Sequence, residues 1–242
     1  IGFKNHYLLV HDVGGFFPYL RRNSKLNVFI FNFLLRFIKN FVVVSHYTKN
    51  MIKKLTVTKK IIISYNGFVP VEISDQQKTF DFLFVTSGEN HKRDYSTVLS
   101  VLDKYKGSQI AICSDNKFLK EKLSYNKNIT FFYNLNETQL VQLYSKSKVY
   151  VNNSKIEGFG MPLIEALYCG CTILVSRIPV YIELLNYFDG IDDRVHFIKN
   201  KSNGILLPNI NLNLHFNSVK INREFNWSFI YSKLVKDLEN NK

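Results

Sequence analysis

Cysteine, proline and tryptophan are scarce in this 242-residue chain, which holds three, five and one of them. Cys113, Cys169 and Cys171 cannot pair completely and no Cys-x-x-Cys occurs, so a disulfide framework is excluded. Cys169-Gly170-Cys171 has no histidine close in sequence to complete a metal site. Small buried thiols in a reducing cytosol are the expectation. A signal peptide and an initiator methionine are also missing, since the chain opens on Ile1. It is expected to begin inside a longer coding sequence. Long apolar runs are missing too. The most apolar region, 26–44, is broken by Asn32, Arg36, Lys39 and Asn40, whereas a membrane span needs about 20 largely uncharged residues. A buried helix leading into a strand is expected there. The basic and aromatic stretch 21–39 leaves peripheral contact with a membrane open.

Acidic residues are the minority, 19 against 32 Lys and Arg, for a net charge of +13. That balance admits nucleic acid, anionic lipid and phosphate-bearing small molecules as partners. The bases are dispersed rather than clustered with aromatics, so nucleic acid is not an expected partner. The abundance of Lys, Asn, Ile, Tyr and Phe also suggests an AT-rich genome, which raises Lys without any partner.

What is present points to an α/β domain. Short apolar runs alternate with segments of helical period, as in a parallel sheet wound with helices. Strands are predicted at 7–10, 41–44 and 61–64, with a helix over 48–55 capped by Ser45 or Thr48. A second series has strands at 80–86, 109–113, 129–133, 149–152 and 172–176. Its helices are predicted over 95–105, 118–124, 137–145 and 162–169. Doubly wound sheets bind ligands outside the carboxyl ends of their strands. The loops that follow strands are therefore the places to look for chemistry.

One such loop is Ser154-Lys155-Ile156-Glu157-Gly158-Phe159-Gly160, ahead of a helix with Pro162 at or near its first position. Gly158 and Gly160 let backbone approach a ligand, and the free N–H groups of a helix start bind pyrophosphate. Glu157 precedes the helix and Glu165 is placed in its first turn. Two carboxylates around a glycine-lined helix start suit a nucleotide sugar, with phosphates in the middle and hydroxyls at both ends.

The run Glu157-Gly158-Phe159-Gly160-Met161-Pro162-Leu163-Ile164-Glu165-Ala166 resembles the Glu-x7-Glu motif of retaining GT-B glycosyltransferases of family 4. The resemblance implies that Glu157 contacts donor sugar hydroxyls, that Glu165 holds the nucleotide ribose, and that the Phe159 and Gly160 amides face sugar and diphosphate. Ser87-Gly88-Glu89-Asn90-His91-Lys92-Arg93-Asp94-Tyr95 is similar to the family's basic loop, with Gly88, Lys92 and Arg93 on the diphosphate. Its bases are adjacent, where the commoner pattern spaces them. His11, closing the first strand, matches a histidine that faces the sugar across the cleft.

Ser45-His46-Tyr47-Thr48-Lys49, Asn66-Gly67-Phe68, the loop Ser176 to Glu183, and Phe225-Asn226-Trp227-Ser228 extend the likeness over nearly the whole chain, mostly as packing and turn features.

The implied organisation is a partial acceptor-side Rossmann-like domain over 1–70, a linker over 71–79, a donor-binding Rossmann-like domain over 80–220, and a returning helix over 221–242. Residues 1–70 hold too few predicted strands for a sheet with its own core. The implied activity is transfer of a sugar from a nucleotide-diphosphate donor to an acceptor glycan or glycolipid hydroxyl with retention. The setting would be surface polysaccharide synthesis at the cytoplasmic face. No cofactor and no metal is expected, since Asp-x-Asp is absent and amides with bases can support the leaving diphosphate. A non-catalytic nucleotide-sugar-binding module is the alternative, and a retaining phosphorylase is not excluded.

Overall fold

The computed structural model describes residues 7–11, 37–38, 40–55, 60–70, 77–86, 91–202, 204–217, 219–220 and 223–239. Most of the apolar stretch 26–44 and most of the predicted linker lie outside these residues. The chain first lays down β1 (Tyr7–Val10), β2 (Asn40–Val43), α1 (His46–Leu55) and β3 (Lys60–Ile63). The three strands pair in parallel in the order β1-β2-β3. Ser45 is the cap of α1: its hydroxyl accepts the Thr48 N–H at 3.0 Å.

A second series follows: β4 (Phe80–Val85), α2 (His91–Lys104), β5 (Ile110–Cys113), α3 (Lys117–Leu123), β6 (Ile129–Phe132), α4 (Glu137–Ser145) and β7 (Ser147–Asn152). It continues through α5 (Met161–Tyr168), β8 (Thr172–Ser176), α6 (Pro179–Leu185), β9 (Val195–Lys201), β10 (Gly204–Leu206) and α7 (Trp227–Glu239). These strands form one sheet in the order β10-β9-β8-β7-β4-β5-β6, parallel except for the β10–β9 hairpin. Three elements escaped the sequence reading. β9 and β10 are short on buried residues, and the segment read as a loop after Ser176 is helical from Pro179. Proline supplies a helical φ there, and its missing N–H costs nothing at a helix start.

The sheet is covered on both faces. Leu83, Tyr150, Ile173 and Val175 pack into one apolar cluster, while their strand neighbours Phe82, Phe84, Val149, Val151 and Leu174 pack into another. That alternation is the period of two along a strand, and covering of both faces is what an all-parallel sheet requires. The first sheet does form, with a small cluster of Val10, Phe41, Val43 and Ile52. The expectation of no separate core there is corrected to a small one. Its helix α1 supplies Ile52, and pairing closes the strand backbones. Val44, Tyr65 and Phe68 belong instead to the large cluster of the second sheet, so the first unit shares part of its burial with the second.

The chain end returns to the crossover. The Phe68 N–H donates to the Phe225 carbonyl at 2.7 Å, and the Trp227 indole lies on Gly67. A Cβ on Gly67 would come within 2.1 Å of that ring, so only glycine allows this approach. Among the described residues no helix is long and apolar enough to cross a membrane.

Candidate functional site

The strand order changes direction between β4 and β7. From β4 the chain steps outward through β5 to β6, then returns to β7 on the other side of β4 and proceeds to β8 and β9. Loops leaving the carboxyl ends of two such strands diverge and open a crevice, the usual ligand position in this class of sheet. A cleft of about 570 Å³ lies there. Thr86 and Asp94 line it after β4, Ser114 and Asp115 after β5, Asn134 and Leu135 after β6, and Asn153, Ser154, Ile156 and Glu157 with Pro162 after β7.

Glu157 therefore stands in the cleft. The Tyr181 hydroxyl donates to its Oε1 at 3.4 Å, and Tyr181 is itself buried. Gly160 is the residue before α5, with a left-handed φ of 100° and no side-chain cap. A Cβ on Gly160 would sit 2.7 Å from the Tyr181 ring. Glycine is thus required twice over, by φ and by the ring. With α5 beginning at Met161, Glu165 falls in its second turn, not the first. The sequence expectation starts the helix at Pro162; it starts one residue earlier, at Met161 after the left-handed Gly160, and that carries Glu165 past the first turn. Glu165 is half-buried rather than among the cleft-lining side chains. Burial pushes its carboxyl above the usual range; the Tyr144 hydroxyl acts against that shift and Glu137 adds to it. The Tyr144 hydroxyl is fully buried and makes no direct hydrogen bond among the described residues.

The other predicted positions are less completely placed. Gly88 lies outside the described residues. Lys92 and Arg93 lie in the first turn of α2 by their backbone, directly after the switch-point strand; their side chains lie outside the description. His11 closes β1 as predicted and is exposed. It lies at the carboxyl edge of the first sheet, the edge that also carries Ser45. Phe159 is buried by its side chain, against Tyr65 at 5.7 Å and Phe225 at 6.0 Å between centroids. That ring anchors the loop.

Several residues of the cleft carried no signal strong enough to single out. Asn153 is buried at the end of β7. Its amide donates to Thr97 Oγ1 and to Asn200 Oδ1, each at 3.1 Å, and its Oδ1 accepts from Ser176 at 2.9 Å and from Asn200 at 3.0 Å. It thus ties together the ends of β7, β8 and β9. The buried Asp94 accepts the Thr86 hydroxyl at 2.5 Å and so fixes the start of α2 to the end of β4. Tyr150 is fully buried, and burial above all drives its hydroxyl far above its ordinary pKa. Asn152 Nδ2 donates to that hydroxyl at 3.0 Å. The one sequence signal for Asn153 is its place at the end of a strand.

Cys169 and Cys171 are buried as expected. Burial, first of all, pushes their thiols up to about 12 and about 11. Among the described residues no group of three or more His, Cys, Asp or Glu is placed to hold a metal ion.

The two sheets meet at this loop. Ser45 Oγ donates to the Gly158 carbonyl at 2.9 Å. From α6, the Glu183 carboxylate accepts the His46 and Tyr47 N–H groups at the start of α1, at 2.7 and 3.0 Å. It also accepts the Tyr65 hydroxyl at 3.1 Å. An anion at a helix start satisfies orphan N–H groups and the dipole together. Exchange of Glu183 for Ala should cost about 1–2 kcal/mol, as loss of a helix cap does, and lower the melting temperature by about 3–6 °C. Circular-dichroism melting reads this, and an unchanged transition would show the contact to be energetically idle.

Residues 76–206 match the family described as "Glycosyl transferases group 1". The chain is 29% identical over 198 residues to the O-antigen chain mannosyltransferase RfbU of Salmonella typhimurium, covering 75% of this chain and 55% of that one. Among solved structures it is similar to sucrose-phosphate synthase from Thermosynechococcus elongatus, at a TM-score of 0.61 and 14% identity, over 82% of this chain and 56% of the other. A glycosyltransferase from Rickettsia africae gives a TM-score of 0.51 at 16% identity, over 72% and 53%. The chain spans about half the length of these relatives. The structural likeness fixes the fold as α/β of the GT-B type.

Proposed function

The chain belongs to the glycosyl transferases of group 1, and from that premise we propose that its cleft binds a nucleotide-diphosphate sugar for retaining transfer of family 4 type. The observation that carries the reading is one loop. Glu157 stands in the switch-point cleft, and a left-handed glycine leads from it into a helix whose second turn carries Glu165.

In this reading Glu157 takes the sugar hydroxyls, and the Phe159 and Gly160 amides with Gly158 meet sugar and phosphate. Glu165 holds the ribose. Lys92, Arg93 and the Gly88 loop hold the diphosphate, and Arg suits its bidentate contact. His11 reaches the sugar from the first sheet. The donor's anomeric bond breaks on the face where the acceptor hydroxyl attacks. The leaving diphosphate oxygen takes the acceptor proton, so no protein nucleophile is required. The basic groups and helix start stabilise the charge that develops on that oxygen, and no metal enters. The acceptor is a glycan or glycolipid of surface polysaccharide synthesis, as the name of the O-antigen relative suggests, reached from the cytoplasm with peripheral membrane contact.

Titration with UDP, GDP and ADP tests the reading. A diphosphate at a hundredfold excess over its Kd adds about 2.7 kcal/mol of stability, or roughly 5–10 °C of melting temperature. Lack of stabilisation by all three would overturn the assignment. Exchange of Glu157 for Ala should leave nucleotide affinity within about twofold and remove the added affinity of the matching sugar nucleotide, worth about tenfold for a lost charged hydrogen bond. Binding of the sugar nucleotide without transfer or hydrolysis would mark the chain as a donor-binding module.

A further inference from the structure

We propose that Ser45 and Thr48, which belong to the first sheet, are positioning residues for the donor diphosphate, through the peptide between Gly158 and Phe159. The proposal rests on the reading of the Glu157 to Glu165 loop as the donor site.

The geometry is specific. Ser45 Oγ donates to the Gly158 carbonyl at 2.9 Å, and Thr48 Oγ1 lies 3.4 Å from the same oxygen. The two hydroxyls are themselves 2.9 Å apart, and the Thr48 N–H donates to Ser45 Oγ at 3.0 Å. Both side chains are fully buried, so water does not replace either contact. A carbonyl with two lone pairs is thus held by the N-terminal turn of a helix in the other unit. The peptide bond is planar and trans, so its N–H points opposite to its C=O. Holding the Gly158 oxygen against α1 aims the Phe159 N–H away from α1.

Neighbouring anchors leave the plane little freedom. The Phe159 ring is clamped between Tyr65 and Phe225. Gly160 is backed by the Tyr181 ring, and Glu157 accepts from Tyr181. Among residues 157–160, Glu157 and Phe159 are anchored by their side chains and Gly160 by the ring behind it, and the hydroxyl pair supplies the fixation of Gly158. A glycine peptide released from it gains access to other φ and ψ values. The amide then meets the diphosphate only part of the time. Ser45 and Thr48 therefore contribute to donor affinity without touching the donor.

The test compares nucleoside diphosphates with monophosphates. Titrations of UDP, GDP and ADP against UMP, GMP and AMP, at a temperature well below unfolding, would be run on the whole chain, on Ser45→Ala, on Ser45→Thr and on Thr48→Val. The expected result is a loss of about tenfold in affinity for the diphosphate that binds, with Ser45→Ala, the size of one hydrogen bond to a charged group. The matching monophosphate changes by less than about twofold, since it lacks the outer phosphate that the amide meets. Ser45→Thr keeps the hydroxyl and restores the parent affinity. If Ser45→Ala does not fold, Thr48→Val carries the same comparison with a smaller loss. Equal losses for both nucleotides, or no loss while the parent binds, would overturn the proposal. Failure of the parent to bind any diphosphate would instead strike the functional reading beneath it.

Discussion

Exchange of Gly160 for Ala lowers the melting temperature by roughly 10 °C and removes nucleotide binding. Two costs add. A left-handed φ costs an L-residue about 1–2 kcal/mol, and Gly160 holds φ at 100°. Overpacking a filled core adds about 1–3 kcal/mol, because the new Cβ would lie 2.7 Å from the Tyr181 ring. That ring is buried, and its hydroxyl donates to Glu157, so any yielding moves the cleft-lining acid as well. At about 2–4 °C per kcal/mol for a chain of this length, the sum gives the stated shift. Calorimetry with and without the nucleoside diphosphate checks both halves. A variant that melts within about 2 °C of the parent and still binds would show that the backbone relaxes freely here.

Exchange of Glu165 acts on binding and stability in opposite directions. With Ala, the proposed ribose contact loses its carboxylate, and each hydrogen bond to a charged group is worth about 1.5–3 kcal/mol. Nucleotide affinity should fall about a hundredfold. With Gln, the unliganded protein should gain stability at neutral pH. Burial raises the Glu165 carboxyl in the folded state, so the folded chain binds a proton more readily there than the unfolded one. Glu165 therefore contributes most favourably below the unfolded carboxylate pKa, and that contribution is lost as pH rises through its folded value. A neutral amide escapes the loss. The melting temperature of Glu165→Gln should exceed the parent's by about 2–4 °C at pH 7–8, and the difference should close near pH 4. A gain that grows on acidification would refute this sign. The raised carboxyl is a cost the free protein bears, and in the proposed donor site ribose hydroxyls would offset it.

How much of this was legible in the residues differs by element. The strands 7–10 and 172–176 and the helix 137–145 were read to the residue, because a buried strand and a capped amphipathic helix write their period locally. β9 and β10 were not read, because their residues are half-exposed and alternate weakly. The Asn153 network was unreadable for another reason. Its partners lie 23, 47 and 56 positions away in sequence, and only the strand order brings them to one end of the sheet.

The opening scarcities hold a similar lesson. With three cysteines and five prolines, the chain has few covalent or conformational staples. It joins its two sheets through Ser45, Glu183 and Tyr65, and the chain end returns onto the bare face of Gly67.

By itself the sequence determined the class of the fold, the parallel winding and the loop in which two acids flank a glycine-lined helix start. Those follow from local period, turn residues and spacing, which are properties of neighbours along the chain. The tertiary structure alone decided that Glu165 is half-buried in the second turn of α5, that a left-handed Gly160 packs on the Tyr181 ring, and that a serine of the first unit holds the Gly158 carbonyl. These depend on a glycine's handedness and on residues more than a hundred positions apart meeting in a dry interface. No local pattern encodes either.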